Sequence, residues 1–150
     1  MTRPLPPEGE ELSFSFADLG CFGCSSRNPA GLRLKFRRQG DRLIGEYTIA
    51  DHFHGAPGIA HGGIVAAILD EFSCAAVFFL RGDHVVTGEL SVRYERPCPV
   101  ETPLAVRSWI TPGEHPRYLV VEAEVCDASG TTLVRSVGKF FPMGGPQPAP

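Results

Sequence analysis

The chain has 150 residues, 43% hydrophobic and 21% charged, and 14 basic against 17 acidic residues leave a net charge of −3. That suits one globular domain and is too short for two well-packed ones. It excludes the basic excess of a nucleic-acid binder, and 10 Phe, 3 Tyr and 1 Trp exclude a wholly disordered chain.

Residues 1–10, rich in Pro and Glu, are expected to be a flexible tail, as are residues 143–150, MGGPQPAP. A single domain is expected over 11–142. The start has no apolar signal-peptide core. The apolar runs 64–69 and 74–80 are split by Asp70, Glu71 and Ser73. A cytoplasmic protein with no membrane span is therefore expected. Cys21, Cys24, Cys74, Cys98 and Cys126 make an odd count and read as free thiols.

In chain order, residues 11–19 suggest a short helix. Residues 31–37 alternate, with Leu32, Leu34 and Phe36 on one side and Arg33, Lys35 and Arg37 on the other, which predicts a half-buried strand. Gln39-Gly40-Asp41 is a turn signal, and residues 42–49 give the second strand of a hairpin. Residues 51–60 form an irregular loop. Residues 61–80 are the one long helical candidate, free of internal Pro. Residues 85–96, 103–112, 117–127 and 131–141 predict four strands, separated by Pro97, Pro99, Pro103, Pro112-Gly113 and Ala128-Ser129-Gly130. Short connections imply an antiparallel meander. A single apolar helix in a β chain buries itself only against the sheet. The expected fold is α+β, an antiparallel β-sheet wrapped around one long central helix, the hotdog arrangement.

The richest stretch is Asp51 to Glu71. His61-Gly62-Gly63 opens the helix, where first-turn N–H groups lack intrahelical partners and the macrodipole is positive. Such a start can hold a developing oxyanion, or the glycines can be a simple hinge. Asp70 and Glu71 sit mid-helix among Ile68, Leu69 and Phe72, and adjacent helical residues diverge by about 100°. One is expected to be solvated and the other to line a cleft, where partial desolvation suits a base or nucleophile. The plain alternative is two surface acids. Eight residues separate Gly62 from Asp70, about 12 Å along a helix axis. Both must come within roughly 3 Å of one carbonyl to serve it. If they act together, they come from two subunits, which points to a homodimer with composite sites.

His61-Gly62-Gly63, six residues, then Asp70 resembles the signature of the PaaI-like group of hotdog-fold acyl-CoA thioesterases. Cys21-Phe22-Gly23-Cys24 with Asn28-Pro29 and Gly31-Leu32 is similar to the leader of one bacterial branch. Gly55 to Ala60 resembles the loop before its His-Gly-Gly, and Thr87-Gly88-Glu89-Leu90, running on to Tyr94, Arg96 and Pro97, resembles its strand after the helix. The resemblance covers about residues 20–140. It implies hydrolysis of an acyl-CoA, with Asp70 as nucleophile or general base, and Gly62 and Gly63 as backbone donors to the thioester oxygen. It implies that His61 shapes the helix start and that Thr87 lies near the attacking water. It also implies dimers, often paired into tetramers, and no metal or redox cofactor, CoA being part of the substrate. Where many relatives carry Asn, this chain has Gly55. His54 beside it becomes a substrate-contact candidate, with Glu71 as a second acid.

Arg93 and Arg96 are candidates for the CoA phosphates, or else lie on an exposed strand. Cys21-x-x-Cys24 reads as a structural turn, with metal and redox readings open and no second cysteine pair at suitable spacing. His52 and His54 lack an evident third ligand, and His84 and His115 are expected to be solvated. The rival functions are a hydroxyacyl-thioester dehydratase or hydratase, which the His52–Gly58 loop loosely resembles, and a non-catalytic acyl-CoA-binding module.

Overall fold

The computed structural model describes residues 4–14, 19–113 and 115–144. Seven strands form one antiparallel sheet: β1 (Glu11–Leu12), β2 (Phe36–Gln39), β3 (Arg42–Thr48), β4 (Val85–Tyr94), β5 (Pro103–Ile110), β6 (Leu119–Cys126) and β7 (Thr132–Pro142). The single long helix, α1 (Gly62–Arg81), packs against β3, β4, β5, β6 and β7. A sheet wrapped around one helix is the arrangement expected from the sequence.

Helix α1 explains the wrapping. Val65, Ile68, Leu69, Phe72, Ser73, Ala75, Ala76, Val77 and Phe79 are buried. At 100° per residue they occupy about 200° of the helix circumference. A flat sheet covers less than that, so the strands curl. Inward-facing Leu104 and Val106 of β5, Val121, Ala123 and Val125 of β6, and Val134 and Phe140 of β7 meet the helix in the core. Phe72 packs on Phe36 with ring centroids 4.8 Å apart. Gly45 leaves room for it, since a Cβ there would stand 2.7 Å from Phe72 Cζ. Buried Ser108 donates to the Phe72 carbonyl at 2.8 Å, tying β5 to the helix backbone. By length and hydropathy α1 would also suit a bilayer crossing, but half of it is buried inside this chain, as in a core helix.

The sheet order is β1-β2-β3-β5-β6-β7-β4. The expected four-strand meander is thus corrected. Strands β5, β6 and β7 follow one another, but β4 pairs with β7 at the far edge and β5 pairs with β3. The cause lies in residues 95–102, which cross beneath the helix start instead of turning back. Ala60 donates to the Cys98 carbonyl at 2.8 Å, Val100 to Gly58 at 3.1 Å and Glu101 to Ile49 at 2.8 Å. The crossing segment thereby braces the loop that leads into α1. The expected helix over 11–19 is corrected at Glu11–Leu12, which pairs with β2, while 15–18 lies outside the described residues. The strand expected at 31–37 is shorter. Leu32, Leu34 and Phe36 are buried as the alternation requires, but the ladder begins at Phe36. Arg33 adopts a φ of 56°, which breaks the extended run. Within the segment expected as an N-terminal tail, Gly9 donates to Arg38 and the Pro6 carbonyl accepts from the Arg38 guanidinium.

Replacing Phe72 by Ala empties the contact between α1 and β2/β3. It is expected to lower unfolding free energy by about 3–5 kcal/mol. Urea denaturation should show a lower midpoint at unchanged slope.

Candidate active site

The loop before α1 is held at several points. A 3-10 turn at Asp51–Phe53 is followed by a bridge between His54 and Ala60, and His61 N–H donates to the Phe53 carbonyl at 2.9 Å. These bonds present His61 as the N-cap of the helix. Its ring Nδ1 accepts the Gly63 N–H at 2.9 Å, filling the place usually taken by a Ser or Asp oxygen. Gly63 N–H is therefore committed to the cap. Among the described residues nothing accepts from Gly62 N–H. Of the two glycines given as donor candidates, Gly62 thus keeps the free N–H. The Tyr94 hydroxyl, from the end of β4, donates to the Gly62 carbonyl at 2.5 Å.

Two turns further on, Asp70 Oδ1 accepts the Thr87 hydroxyl of β4 at 2.6 Å. The Cys74 thiol lies 3.6 Å from the same hydroxyl, and burial with the Asp70 charge pushes that thiol up to about 12. Thr87 and Tyr94 both reach the helix only because β4 changes face between them. Thr87 pairs with Phe140 and Glu89 with Lys139, leaving Gly88 as the extra residue of a β-bulge. After the bulge, Leu90 and Val92 point inward beside Tyr94 rather than Glu89, Ser91 and Arg93. A Cβ at Gly88 would overlap the Phe141 ring, so any other residue in the bulge requires that ring to move. Simple alternation assigns positions 87 and 94 to opposite faces, which is why Tyr94 was missed as a site residue.

Glu71 points the other way. Its carboxylate lies against the Cys21–Cys24 turn, with Cys21 Sγ at 3.7 and 3.8 Å from its two oxygens. Burial pushes this carboxyl above the usual range, Asp70 adds to the rise, and hydrogen bonds from Cys24 and Cys21 oppose it. The expected division into one solvated and one cleft-lining acid takes another form. Both are half-buried, one against β4 and one against the cysteine turn, flanking a less-covered stripe of Ala67, Cys74 and Phe78.

The remaining candidates are scattered. His54 is exposed, its Nδ1 2.6 Å from the Asp51 carbonyl. Arg96 is exposed past the end of β4, where it helps lower the Asp127 carboxyl after that acid's hydrogen bonds from Ser129 and Thr131. Arg93 is exposed on β4. His52 packs on Phe53, and His115 stacks on Tyr118 at 3.8 Å. His84, expected in solvent, is half-buried against Phe78. A hollow lies against β2, β3 and β5, lined by Lys35, Arg37, Glu46, Arg107 and Asp127 among others, and none of the site residues lines it.

The family model described as the thioesterase superfamily matches residues 57–134, from the loop before His61 to the start of β7. The chain belongs to the thioesterase superfamily. Over 59 residues it is 32% identical to the acyl-coenzyme A thioesterase THEM4 of Xenopus laevis, covering 39% of this chain and 26% of that protein. The match thus spans about a quarter of that relative's length. A thioesterase-superfamily protein of known crystal structure superposes with a TM-score of 0.71 at 27% identity, over 76% of this chain and 56% of that one. The Escherichia coli PaaI protein from the phenylacetic acid degradation operon superposes with a TM-score of 0.67 at 16% identity, over 76% and 82% of the two chains. So does a Streptococcus mutans protein bound to acetyl CoA, with a TM-score of 0.67 at 17% identity over 76% and 91%. At such identities these last two show the shared fold, and the expectation of a hotdog fold like that of PaaI is met.

His61→Ala removes the cap acceptor for Gly63. It is expected to cost about 1 kcal/mol of stability, and His61→Asn to restore most of it, as read by denaturant midpoints.

Proposed function

We propose that this protein hydrolyses acyl-CoA thioesters, with each site shared between two copies of the chain. The observation that carries the reading is the presence, on one helix, of a held carboxylate and a free backbone donor at the helix start. Asp70 is fixed by Thr87, and Gly62 offers an unpaired N–H at the positive end of α1. The acyl-CoA class is supported by the name of the Xenopus relative and by the acetyl CoA bound to the Streptococcus protein.

The chemistry follows from the charges. The thioester oxygen gains negative charge as the carbonyl carbon becomes tetrahedral, and Gly62 N–H with the helix dipole stabilises it. Asp70 either takes a proton from water, which attacks the carbon, or attacks the carbon itself to form an anhydride that water then opens. Either way the C–S bond breaks, the CoA sulfur leaves as thiolate and takes up a proton, and the acyl group departs as a carboxylic acid. Thr87 donates to Asp70 Oδ1 and so leaves Oδ2 as the reacting oxygen.

Two features support sharing between copies. An unbroken helix separates Gly62 from Asp70 by about 12 Å, too far for one carbonyl. Strand β4 is also an open sheet edge ten residues long, with Val86 52% and Tyr94 49% exposed beside Val137 of β7. A second copy adding its β4 antiparallel would continue the sheet and bring one chain's Gly62 toward the other's Asp70.

Thiol release from short-chain, long-chain and aryl acyl-CoAs is expected for wild type and to fall by about 10²–10⁴ in Asp70→Asn. An undiminished Asp70→Asn rate would overturn the mechanism. Saturable binding without thiol release would favour a binding module, and an absorbance change from water loss a dehydratase. Gly62→Pro deletes the donor at a position where proline suits a helix start. Refolding inactive Gly62→Pro together with inactive Asp70→Asn should restore about a quarter of wild-type activity, because half of random dimers carry one intact site of two. No recovery from a folded mixture would place both groups in one chain.

A further inference from the structure

Hydrolysis makes no use of the Cys21–Cys24 turn, yet that turn is tightly built. Ser25 N–H bonds back to the Cys21 carbonyl at 3.1 Å. Leu32 and Leu34 donate to the carbonyls of Phe22 and Gly23 at 2.7 and 2.9 Å. The Asn28 side-chain amide closes the loop on the Gly20 carbonyl at 3.0 Å, and its oxygen accepts from Ala30 N–H at 3.0 Å. A Cβ at Gly23 would overlap the Glu71 carboxylate, so glycine is what lets the turn sit directly on that acid. The result is two thiols and a carboxylate converging from segments 50 residues apart.

We propose that Cys21, Cys24 and Glu71 form a binding site for a thiophilic divalent cation of the zinc class. Their ligand atoms all lie within 4.8 Å of one another. Around tetrahedral zinc, with Zn–S near 2.3 Å and Zn–O near 2.1 Å, S···S separations are about 3.8 Å and S···O about 3.6 Å. The 3.7 and 3.8 Å from Cys21 Sγ to the Glu71 oxygens already match the second value. A cation would close the set by drawing the remaining ligand atoms in from at most 4.8 Å. Charge points the same way. Among the described residues no Lys, Arg or His forms an ion pair with Glu71. Three groups that become negative thus face each other without a counter-charge. Reactive redox thiols sit in electropositive surroundings, and these surroundings are electronegative.

Binding displaces the protons of both thiols, and of Glu71 where it holds one, forming two metal–sulfur bonds and one metal–oxygen bond without change of oxidation state. Two thiolates and a carboxylate leave the fourth tetrahedral corner to water, which reaches all three half-buried residues. The sequence offers no second cysteine pair at suitable spacing, and the third ligand comes instead from helix α1. This site stands apart from the hydrolase reading and is tested without it.

The test is titration of chelator-treated, reduced full-length protein with Co²⁺, followed by displacement with Zn²⁺. A near-ultraviolet thiolate-to-cobalt band and tetrahedral visible absorption saturating at one equivalent are expected. Both should vanish on adding Zn²⁺ and be lost in Cys21→Ser/Cys24→Ser. Glu71→Gln should keep the charge-transfer band but alter the visible spectrum and weaken binding. Where the double variant does not fold, alkylation of wild type with and without Zn²⁺, mapped by mass spectrometry, gives the answer. Zn²⁺ should protect Cys21 and Cys24 selectively. No thiolate band, a band undiminished in the folded double variant, or equal alkylation with and without Zn²⁺ would overturn the proposal. A spectrum and affinity unchanged by Glu71→Gln would overturn the carboxylate's part in it.

Discussion

Two adjacent carboxylates in the middle of an apolar helix are the constraint on which this molecule turns. Helix α1 must be wrapped because about 200° of its surface is buried, and a carboxylate caught in such wrapping needs partners. Asp70 and Glu71 point about 100° apart and so cannot share one. Each draws a different piece of chain to the helix. Asp70 is met by Thr87 of β4, and Glu71 by the Cys21–Cys24 turn. Between them runs a stripe left less covered by this chain, so the two acids mark the margins of the open face.

The helix start obeys a second economy. A buried-helix terminus leaves several N–H groups to be satisfied. Here His61 satisfies that of Gly63 and leaves that of Gly62 unmet. One side chain therefore both stabilises the helix and decides which first-turn N–H stays unpaired. Tyr94 secures the same turn through the Gly62 carbonyl, fixing the peptide on either side of the glycine. The crossing segment between β4 and β5 holds the preceding loop from beneath through Gly58 and Ala60. These contacts are preorganisation of the kind oxyanion stabilisation requires, since a donor that must first be aligned contributes less.

Much of this was legible in the chain before any coordinates. Alternation at Leu119, Val121, Ala123 and Val125 marked β6, and the long stretch without proline after Gly62-Gly63 marked α1. Those patterns come from burial on a repeating backbone, and burial leaves its trace residue by residue. Three things were not legible. The position of β4 beside β7 depends on what residues 95–102 bond to, not on their own pattern. The meeting of Glu71 with Cys21 and Cys24 spans 50 residues and has no periodicity. The shared facing of Thr87 and Tyr94 contradicts strict alternation and rests on one unpaired glycine. The spacing from His61 to Asp70 was readable as a distance because His61 caps the helix that holds Asp70, where separation along the chain converts directly to separation in space.

The bulge at Gly88 makes the length of β4 a form of information. Upstream of it Thr87 faces the helix at an odd position; downstream Leu90, Val92 and Tyr94 face it at even ones. Deleting one residue there would restore a regular ladder and, in doing so, turn one half of the strand inside out. Leu90 and Val92 would be sent to solvent, or else Thr87 would leave Asp70. Point changes on the outer face of β4 alter only a surface, whereas a change of one in the residue count rewrites which half of the strand belongs to the core and which to the chemistry. Homologous chains that preserve this arrangement should thus vary more at Glu89, Ser91 and Arg93, which face away from the helix, than in the residue count between Thr87 and Tyr94.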